Sequence, residues 1–218
     1  MRTASMRAEL ERDPTAEPNE SENSMGKVFT HMTMSLDGFI AQPDDQIGEL
    51  FEWYEVGDTK VPSANEQVTF EVDAASAKLL TELISTGALV SGRVLFDVAE
   101  GWGDNHPSGA PVVVVTHRAP DDAAEKFPRT TFVEDVADAV STAKQIAGDA
   151  DVTIASADVA QQAIRLRLVD EVVVSLVPVL FGEGKRYFGE LVDGHVMLED
   201  PVVVKGKRAT HLRYAVQK

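Results

Sequence analysis

The stretch that decides the fold class is VTIASADVAQQAI, residues 152–164. An apolar strand, VTIA, stops here and a helix starts after three small residues, Ala155-Ser156-Ala157. Such junctions build α/β proteins, and the free N–H groups at a helix start can hold a phosphate. Phosphate-binding turns usually contain glycines, because the backbone bends sharply and approaches the ligand closely. Two interpretations therefore stay open: a phosphate turn without glycines, or a helix capped by Ser156 with Asp158 in its first turn.

The same alternation of strands and helices continues on both sides of this stretch. Apolar runs predict strands over 27–34, 88–91, 111–116, 152–155 and 171–181. Helical spacing predicts helices over 73–86, 93–100, 135–148 and 157–168. Residues 195–216 predict two or three antiparallel strands with a Lys-Gly-Lys turn, and residues 35–69 a long loop region with short helical pieces. We expect one α/β domain with a mostly parallel sheet and antiparallel C-terminal strands.

Composition excludes several classes of function. The 218 residues carry a formal charge of −16, which disfavours nucleic acid and anionic membranes as partners. The chain contains no cysteine, and its five histidines show no metal-ligand spacing, so we expect no metal site. Neither a secretion signal nor an apolar run of about 18 residues is present, which predicts a cytoplasmic protein. Residues 1–24 are too polar to fold and predict a disordered tail before a domain at 25–218.

Two other predicted strands are followed by residues that are able to bind phosphate groups. Gly92 permits a sharp turn, and Arg93 follows at a helix start, where it could bind a phosphate or pair with a neighbouring carboxylate. Thr116, His117 and Arg118 follow the strand at 111–115 in immediate succession. That cluster suits the adenosine 2′-phosphate of NADPH, although a solvated loop start is an equally good interpretation.

Four segments resemble one protein family in both order and spacing. They are MSLDGFIA (34–41), VSGRVLFD (90–97), VVVVTHR (112–118) and LVDEVVVSLVPVLFGEGKRYF (168–188). Together they resemble the dihydrofolate-reductase-like proteins of the RibD C-terminal domain type, over about residues 26–216. The resemblance implies a three-layer dihydrofolate reductase fold, homodimers and NADPH-dependent reductases. Family activities include reduction of a ribosylamino-pyrimidine in riboflavin synthesis and of dihydrofolate.

The resemblance also implies which residues bind the cofactor. Gly92 and Arg93 match the pair that holds cofactor phosphates, and Thr116, His117 and Arg118 match the stretch at the adenosine end. Ala155 and Ser156, followed by Ala157, fall where the family most often has two glycines beside the pyrophosphate and nicotinamide. Gly182 and Gly184 would form a turn near the nicotinamide.

On the substrate side the resemblance points to Asp37, which would bind a sugar hydroxyl or assist proton delivery. Its Asp-Gly pair also suits a purely structural turn. Trp53 and Tyr54 would form a ring-binding wall or simply pack on the core, and Glu183 would face substrate or solvent. We therefore predict an NADPH-dependent reductase of a small heteroaromatic substrate. The alternative is a non-catalytic member that binds a small ligand in the same cleft.

Overall fold

Twelve strands and five α-helices form the part of the chain that the computed structural model describes, residues 26–189 and 194–218. The strands are β1 (Val28–Ser35), β2 (Phe39–Ala41), β3 (Thr59–Val61), β4 (Phe70–Val72), β5 (Ala88–Gly92), β6 (Val112–Val115), β7 (Thr130–Val133), β8 (Val152–Ala155), β9 (Glu171–Val177), β10 (Lys185–Arg186), β11 (Val202–Lys205) and β12 (Thr210–Ala215). The predicted tail at 1–24 lies outside the described residues.

Eight strands form one central sheet in the order β11-β12-β9-β1-β8-β5-β6-β7. The strands from β9 to β7 are parallel neighbours, whereas β12 and β11 extend the sheet antiparallel at one edge. This confirms the predicted mostly parallel sheet with antiparallel C-terminal strands. Two short pairs, β10–β2 and β3–β4, lie outside the main sheet.

The helices alternate with the strands along the chain, and in two of them an aspartate side chain caps the first turn. They are α1 (Ala74–Ile84), α2 (Arg93–Val98), α3 (Ala123–Lys126), α4 (Val136–Ala147) and α5 (Ala157–Arg165). The Asp73 carboxylate accepts the N–H groups of the first turn of α1, and Gly148, at φ +61°, ends α4 as predicted. Within 26–189 and 194–218, no helix combines the length and apolarity needed to cross a membrane.

Side chains alternate along the strands between two helix layers. Ile154 is fully buried in a cluster with residues of α4 and α5, on one face of the sheet. Phe29 and Val173 point to the other face, where they pack against Leu79 of α1. Full burial of an isoleucine or phenylalanine stabilises the fold by about 1.5–3 kcal/mol. The result is the expected three-layer arrangement, with the carboxyl ends of β8, β5 and β6 side by side.

Several elements differ from the prediction. The strand predicted over 171–181 ends at Val177, directly before Pro178, because proline has no N–H group to donate to a neighbouring strand. The helix predicted over 157–168 ends at Arg165, and Arg167 then adopts φ +56°. The sequence does not predict β7, because this strand has only four residues and none of them is buried. The region 35–69 contains the predicted helical piece at Gly48–Glu55, together with the short strands β2 and β3.

A chain of hydrogen bonds crosses the interior from β1 to the start of α1. His31 Nε2 lies 3.0 Å from Ser175 Oγ, and Ser175 Oγ lies 2.9 Å from His211 Nδ1. His211 Nε2 lies 3.0 Å from Ser76 Oγ, which donates to Asp73 Oδ2 at 2.7 Å. An ionised carboxylate only accepts, so Asp73 fixes the direction of each proton, and both imidazoles are satisfied in the neutral form. Burial lowers the pKa of His31 to about 3 and also lowers the pKa of His211.

Candidate functional site

A cavity of about 410 Å³ opens at the carboxyl ends of β5 and β8. Parallel strands in an open sheet commonly bind ligands at this edge. Its apolar lining residues are Met32, Ile40, Ala41, Ile47, Phe51, Val94, Leu95, Val98, Val115, Ala157 and Val159. The remaining lining residues are Asp45, Gly92, Arg93, Ser156, Asp158 and Lys185. Four predicted cofactor residues, at 92, 93, 156 and 157, therefore share one cavity.

Gly92 and Ser156 touch across the edge of the sheet. The Gly92 N–H donates to Ser156 Oγ at 3.2 Å. A Cβ at position 92 would lie 2.7 Å from that oxygen, so this close approach requires glycine. The contact joins the ends of two neighbouring strands, β5 and β8, into one floor of the cavity.

Ser156 has a backbone conformation that normally belongs to glycine. Its φ is +140° and its ψ is +142°, a region where L-residues are strained by about 1–3 kcal/mol. Although Ser156 occupies the N-cap position of α5, its side chain makes no capping hydrogen bond. The prediction that this hydroxyl caps the helix is therefore wrong, because the hydroxyl faces Gly92 instead. Within the described residues, no side chain at the N-cap satisfies the first-turn N–H groups of α5.

Asp158 points along its own helix. Its Oδ2 accepts from Gln162 Nε2 at 2.7 Å, one turn further on. Asp158 is thus a first-turn residue of α5, as predicted, and its charge lies near the positive end of the helix dipole. The negative charge nevertheless remains part of the cavity lining.

Arg93 forms the ion pair that was one of the two interpretations left open for it, and its binding of a phosphate stays a prediction. Its Nε donates to the two carboxylate oxygens of Asp97 at 2.7 and 2.8 Å, which is the predicted alternative of a neighbouring ion pair. Its Nη1 donates to the carbonyl oxygen of Arg118. Arg93 still lines the cavity, so its guanidinium connects the cavity to the loop after β6.

The loop after β6 lies on the surface beside Arg93. His117 and Arg118 are exposed, and Thr116 Oγ1 accepts the Arg118 N–H at 3.2 Å. These three residues do not line the cavity. They lie next to Arg93, at the rim of the cavity. Their contact with the adenosine end of NADPH stays a prediction.

Asp37 holds a turn together. Its Oδ1 accepts from Ser35 Oγ at 2.6 Å and from the Phe181 N–H at 3.2 Å, and its Oδ2 accepts from the Gly182 N–H at 2.7 Å. The hydrogen bond from Ser35, and then those from the backbone, hold the pKa of Asp37 below its ordinary value. Asp37 does not line the cavity, so the structure favours the structural alternative over a catalytic role.

The aromatic residues at 51–54 divide between core and cavity. Trp53 is 1% exposed, its Nε1 donates to Thr33 Oγ1 at 3.2 Å, and its ring packs against Tyr54 and His211. The predicted ring-binding wall at Trp53 is thus replaced by core packing, because this side of the helical turn faces β1. Phe51, from the same turn, lines the cavity.

The glycine-rich turn after β9 brings a lysine to the cavity mouth. Gly184 adopts φ +146°, and a Cβ there would lie 2.2 Å from the carbonyl oxygen of Ala41. Lys185 follows and lines the cavity, whereas Gly182 and Glu183 are exposed and lie outside the lining. Ala155 also stays outside the lining, because it ends β8 and packs against the core.

Most of the lining was not predicted from the sequence, including Asp45, Ile47, Phe51 and Lys185. All four come from segments brought together by the β10–β2 pair. For Lys185 the available signal is the GEGK sequence at 182–185, which places a cation directly after a glycine turn.

Comparisons with known proteins place this geometry in a family. The family model for the RibD C-terminal domain matches residues 26–200. A Shewanella sp. PV-4 protein assigned to riboflavin biosynthesis is 22% identical, with a TM-score of 0.61 over 88% of this chain and 99% of that chain. Acinetobacter baumannii RibD is 16% identical, with a TM-score of 0.58 over 89% of this chain but only 58% of RibD. Enterococcus faecalis dihydrofolate reductase, solved with NADP(H), is 18% identical, with a TM-score of 0.53 over 90% of this chain and 98% of that chain. No curated protein matches the sequence.

Proposed function

Since the chain belongs to the RibD C-terminal domain family, a family of reductase-like proteins, we propose that it is an NADPH-dependent reductase of a small pteridine- or pyrimidine-like substrate. The observation that carries the proposal is the meeting of Gly92, Arg93 and Ser156 at one cavity. Their elements end side by side at the sheet edge where open α/β sheets bind ligands.

The residues at this edge fit the phosphates of a dinucleotide. The first-turn N–H groups of α5 have no N-cap side chain as partner, and Ser156 and Ala157 are small enough for close approach. Oriented N–H groups at a helix start attract anions. Arg93 adds a cation at the same place, although Asp97 already neutralises part of its charge.

The adenosine end would lie at the rim, against Thr116, His117 and Arg118. The exposed Arg118 side chain is suited to the 2′-phosphate that distinguishes NADPH from NADH. Arg93 holds the backbone of this loop through the Arg118 carbonyl, so it would position the loop as well as bind phosphate.

Bound NADPH would supply the hydride, and the protein's contribution is to bind and orient both molecules. The apolar wall at Ile40, Ile47 and Phe51 would hold a flat ring and exclude water from the reacting face. Asp37 is committed to the turn at 181–182, so the protein's work in this site is positioning rather than proton delivery by that carboxylate.

Calorimetric titration with NADPH and NADH tests the proposal. We expect Arg118→Ala to weaken NADPH binding tenfold or more while NADH binding hardly changes, since a charge-assisted phosphate contact is worth about 1.5–3 kcal/mol. Arg93→Ala should weaken both cofactors. Arg208→Ala is the matched control, because Arg208 is an exposed arginine paired with Glu52 rather than with the cavity.

The double variant Ala155→Gly with Ser156→Gly tests whether the absence of the family's two glycines weakens NADPH binding. We expect it to bind NADPH as tightly as the wild type or more tightly. If only the double variant binds, the site has lapsed in the natural sequence. If neither binds NADPH, the reductase proposal is wrong.

The alternative, a member that binds a ligand without catalysis, is favoured by one observation. The predicted catalytic carboxylate of Asp37 lies outside the cavity lining and accepts three hydrogen bonds from the turn. A protein that binds NADPH but never oxidises it with any pterin or pyrimidine tested would support this alternative.

We also propose a homodimer that forms through the antiparallel edge of the sheet. β11 is an edge strand, and Val202 and Val203 on it are 63% and 56% exposed. Unpaired edge strands with apolar side chains readily pair with another chain. A second copy paired along β11 would cover both valines.

A further inference from the structure

Two opposite charges lie at the mouth of the cavity. Lys185 Nζ is 3.6 Å from Asp45 Oδ1, and both residues line the cavity. Ordinary N–H···O hydrogen bonds span 2.7–3.2 Å, so this pair attracts without closing a hydrogen bond. Lys185 and Asp45 can therefore each form a hydrogen bond with a ligand that binds next to the pair.

The backbone holds both side chains at this place. Asp45 adopts φ +64°, a left-handed conformation that aspartate tolerates better than most residues, and its N–H donates to the Gln42 carbonyl at 3.1 Å. Lys185 pairs with Ala41 in the β10–β2 ladder, and the preceding Gly184 fits against Ala41 only because it has no Cβ. The backbone of both residues is thus constrained, while the two side chains remain partly exposed to solvent.

The wall around the pair is apolar and offers no further cation. Ile40, Ile47 and Phe51 come from the same part of the chain as Asp45 and line the cavity with it. Of the two cationic lining residues, Arg93 is committed to Asp97 and Lys185 faces Asp45. A phosphate ester bound here would bring up to two negative charges beside an aspartate, which is unfavourable in a partly desolvated site.

We propose that Lys185 and Asp45 determine specificity in this cavity by selecting an uncharged, mainly apolar ring with a C=O next to an N–H, and by rejecting a phosphate ester. The lysine ammonium donates to the carbonyl oxygen, and the aspartate carboxylate accepts the N–H. This inference rests on the proposed function, because it treats the cavity as the place where the substrate binds.

Three bicyclic probes of similar size separate these interactions: 2-quinolone, 1-methyl-2-quinolone and 1-naphthyl phosphate. We would measure their binding to the full chain by NMR titration, with and without saturating NADPH. The wild type should bind 2-quinolone about tenfold more tightly than 1-methyl-2-quinolone, because the methyl group removes the N–H. With saturating NADPH occupying the phosphate turn at the start of α5, it should bind 1-naphthyl phosphate more weakly than 2-quinolone.

Variants assign these differences to the pair. Asp45→Asn should weaken 2-quinolone about tenfold, leave 1-methyl-2-quinolone unchanged and tighten 1-naphthyl phosphate. Asparagine tolerates the same left-handed backbone, so the turn should survive. Lys185→Met should weaken both quinolones, and Lys185→Arg should restore most of the loss. Lys60→Met is the control, because Lys60 forms a comparable ion pair with Glu71 on the β3–β4 hairpin, outside the cavity lining.

The inference is overturned if, with NADPH bound, the phosphate binds the wild type at least as tightly as 2-quinolone, if Asp45→Asn affects both quinolones equally, or if none of the probes binds. The NADPH titration distinguishes the two proposals. If NADPH fails to bind while the quinolone pattern holds, the reductase proposal falls and the specificity of the cavity stands.

Discussion

Replacing Ser156 by glycine should leave the protein more stable than replacing it by alanine, although glycine is the more flexible residue in the unfolded chain. Both substitutions remove the hydroxyl that accepts the Gly92 N–H, so that loss cancels in the comparison. Glycine relieves the strain at φ +140°, worth about 1–3 kcal/mol. Its greater freedom in the unfolded chain costs about 0.4–1 kcal/mol. The glycine variant should therefore exceed the alanine variant by about 1 kcal/mol in free energy of unfolding.

Urea unfolding of the two variants and the wild type, followed by circular dichroism, measures this difference. A change of that size corresponds to about 2–4 °C in Tm for a chain of this length. Ala157→Gly is the control: it is the next residue, at the start of α5, where glycine should cost about 0.5–1 kcal/mol relative to alanine. Equal or greater stability of the alanine variant would refute the conclusion that Ser156 occupies a glycine position.

Three other predictions concern the buried histidine, the turn carboxylate and the sheet edge. Between pH 7 and pH 5 the free energy of unfolding should fall by about 2 kcal/mol through His31, because its pKa is about 3 when folded and near 6.5 when unfolded, so the unfolded chain binds the extra proton. His31→Gln should flatten this slope in urea titrations, whereas the same substitution of the exposed His117 should not. Asp37→Asn should lower the Tm, since it weakens the hydrogen bonds at 181–182, and should leave the Kd for NADPH within twofold; a catalytic defect in a variant of normal stability would contradict the structural role. Light scattering should give a dimer mass for the wild type and a monomer mass for Val203→Lys, and a wild-type monomer at micromolar concentration would exclude the edge-to-edge dimer.

The parts of the fold that could be predicted are those fixed by local pattern. β8, α4 and the Gly148 cap follow from short-range periodicity and turn chemistry. The meeting of Gly92 with Ser156 also follows, because parallel strands place their carboxyl ends at the same edge of a sheet.

The other wall of the cavity depends on pairing between distant segments, which local pattern does not encode. Lys185 reaches the cavity only because β10 pairs with β2, and Phe51 rather than Trp53 faces it because of how one turn docks on β1. The run at 100–104 could not be predicted either. Its five consecutive residues all have φ between +50° and +61°, although Glu100, Trp102 and Asp104 are not glycines.

The position of β1 in the sheet has a consequence for how the chain reaches its fold. β1 is synthesised before the other strands described here, yet its neighbours are β8 and β9: Val28 pairs with Val152, and Phe29 pairs with Glu171. During translation, an apolar strand therefore waits unpaired until more than a hundred further residues have emerged from the ribosome. Such non-local pairing slows folding, and it leaves the apolar strand β1 exposed to aggregation or to binding by chaperones. A nascent chain that stops before residue 152 lacks both partners of its first strand and cannot complete the sheet.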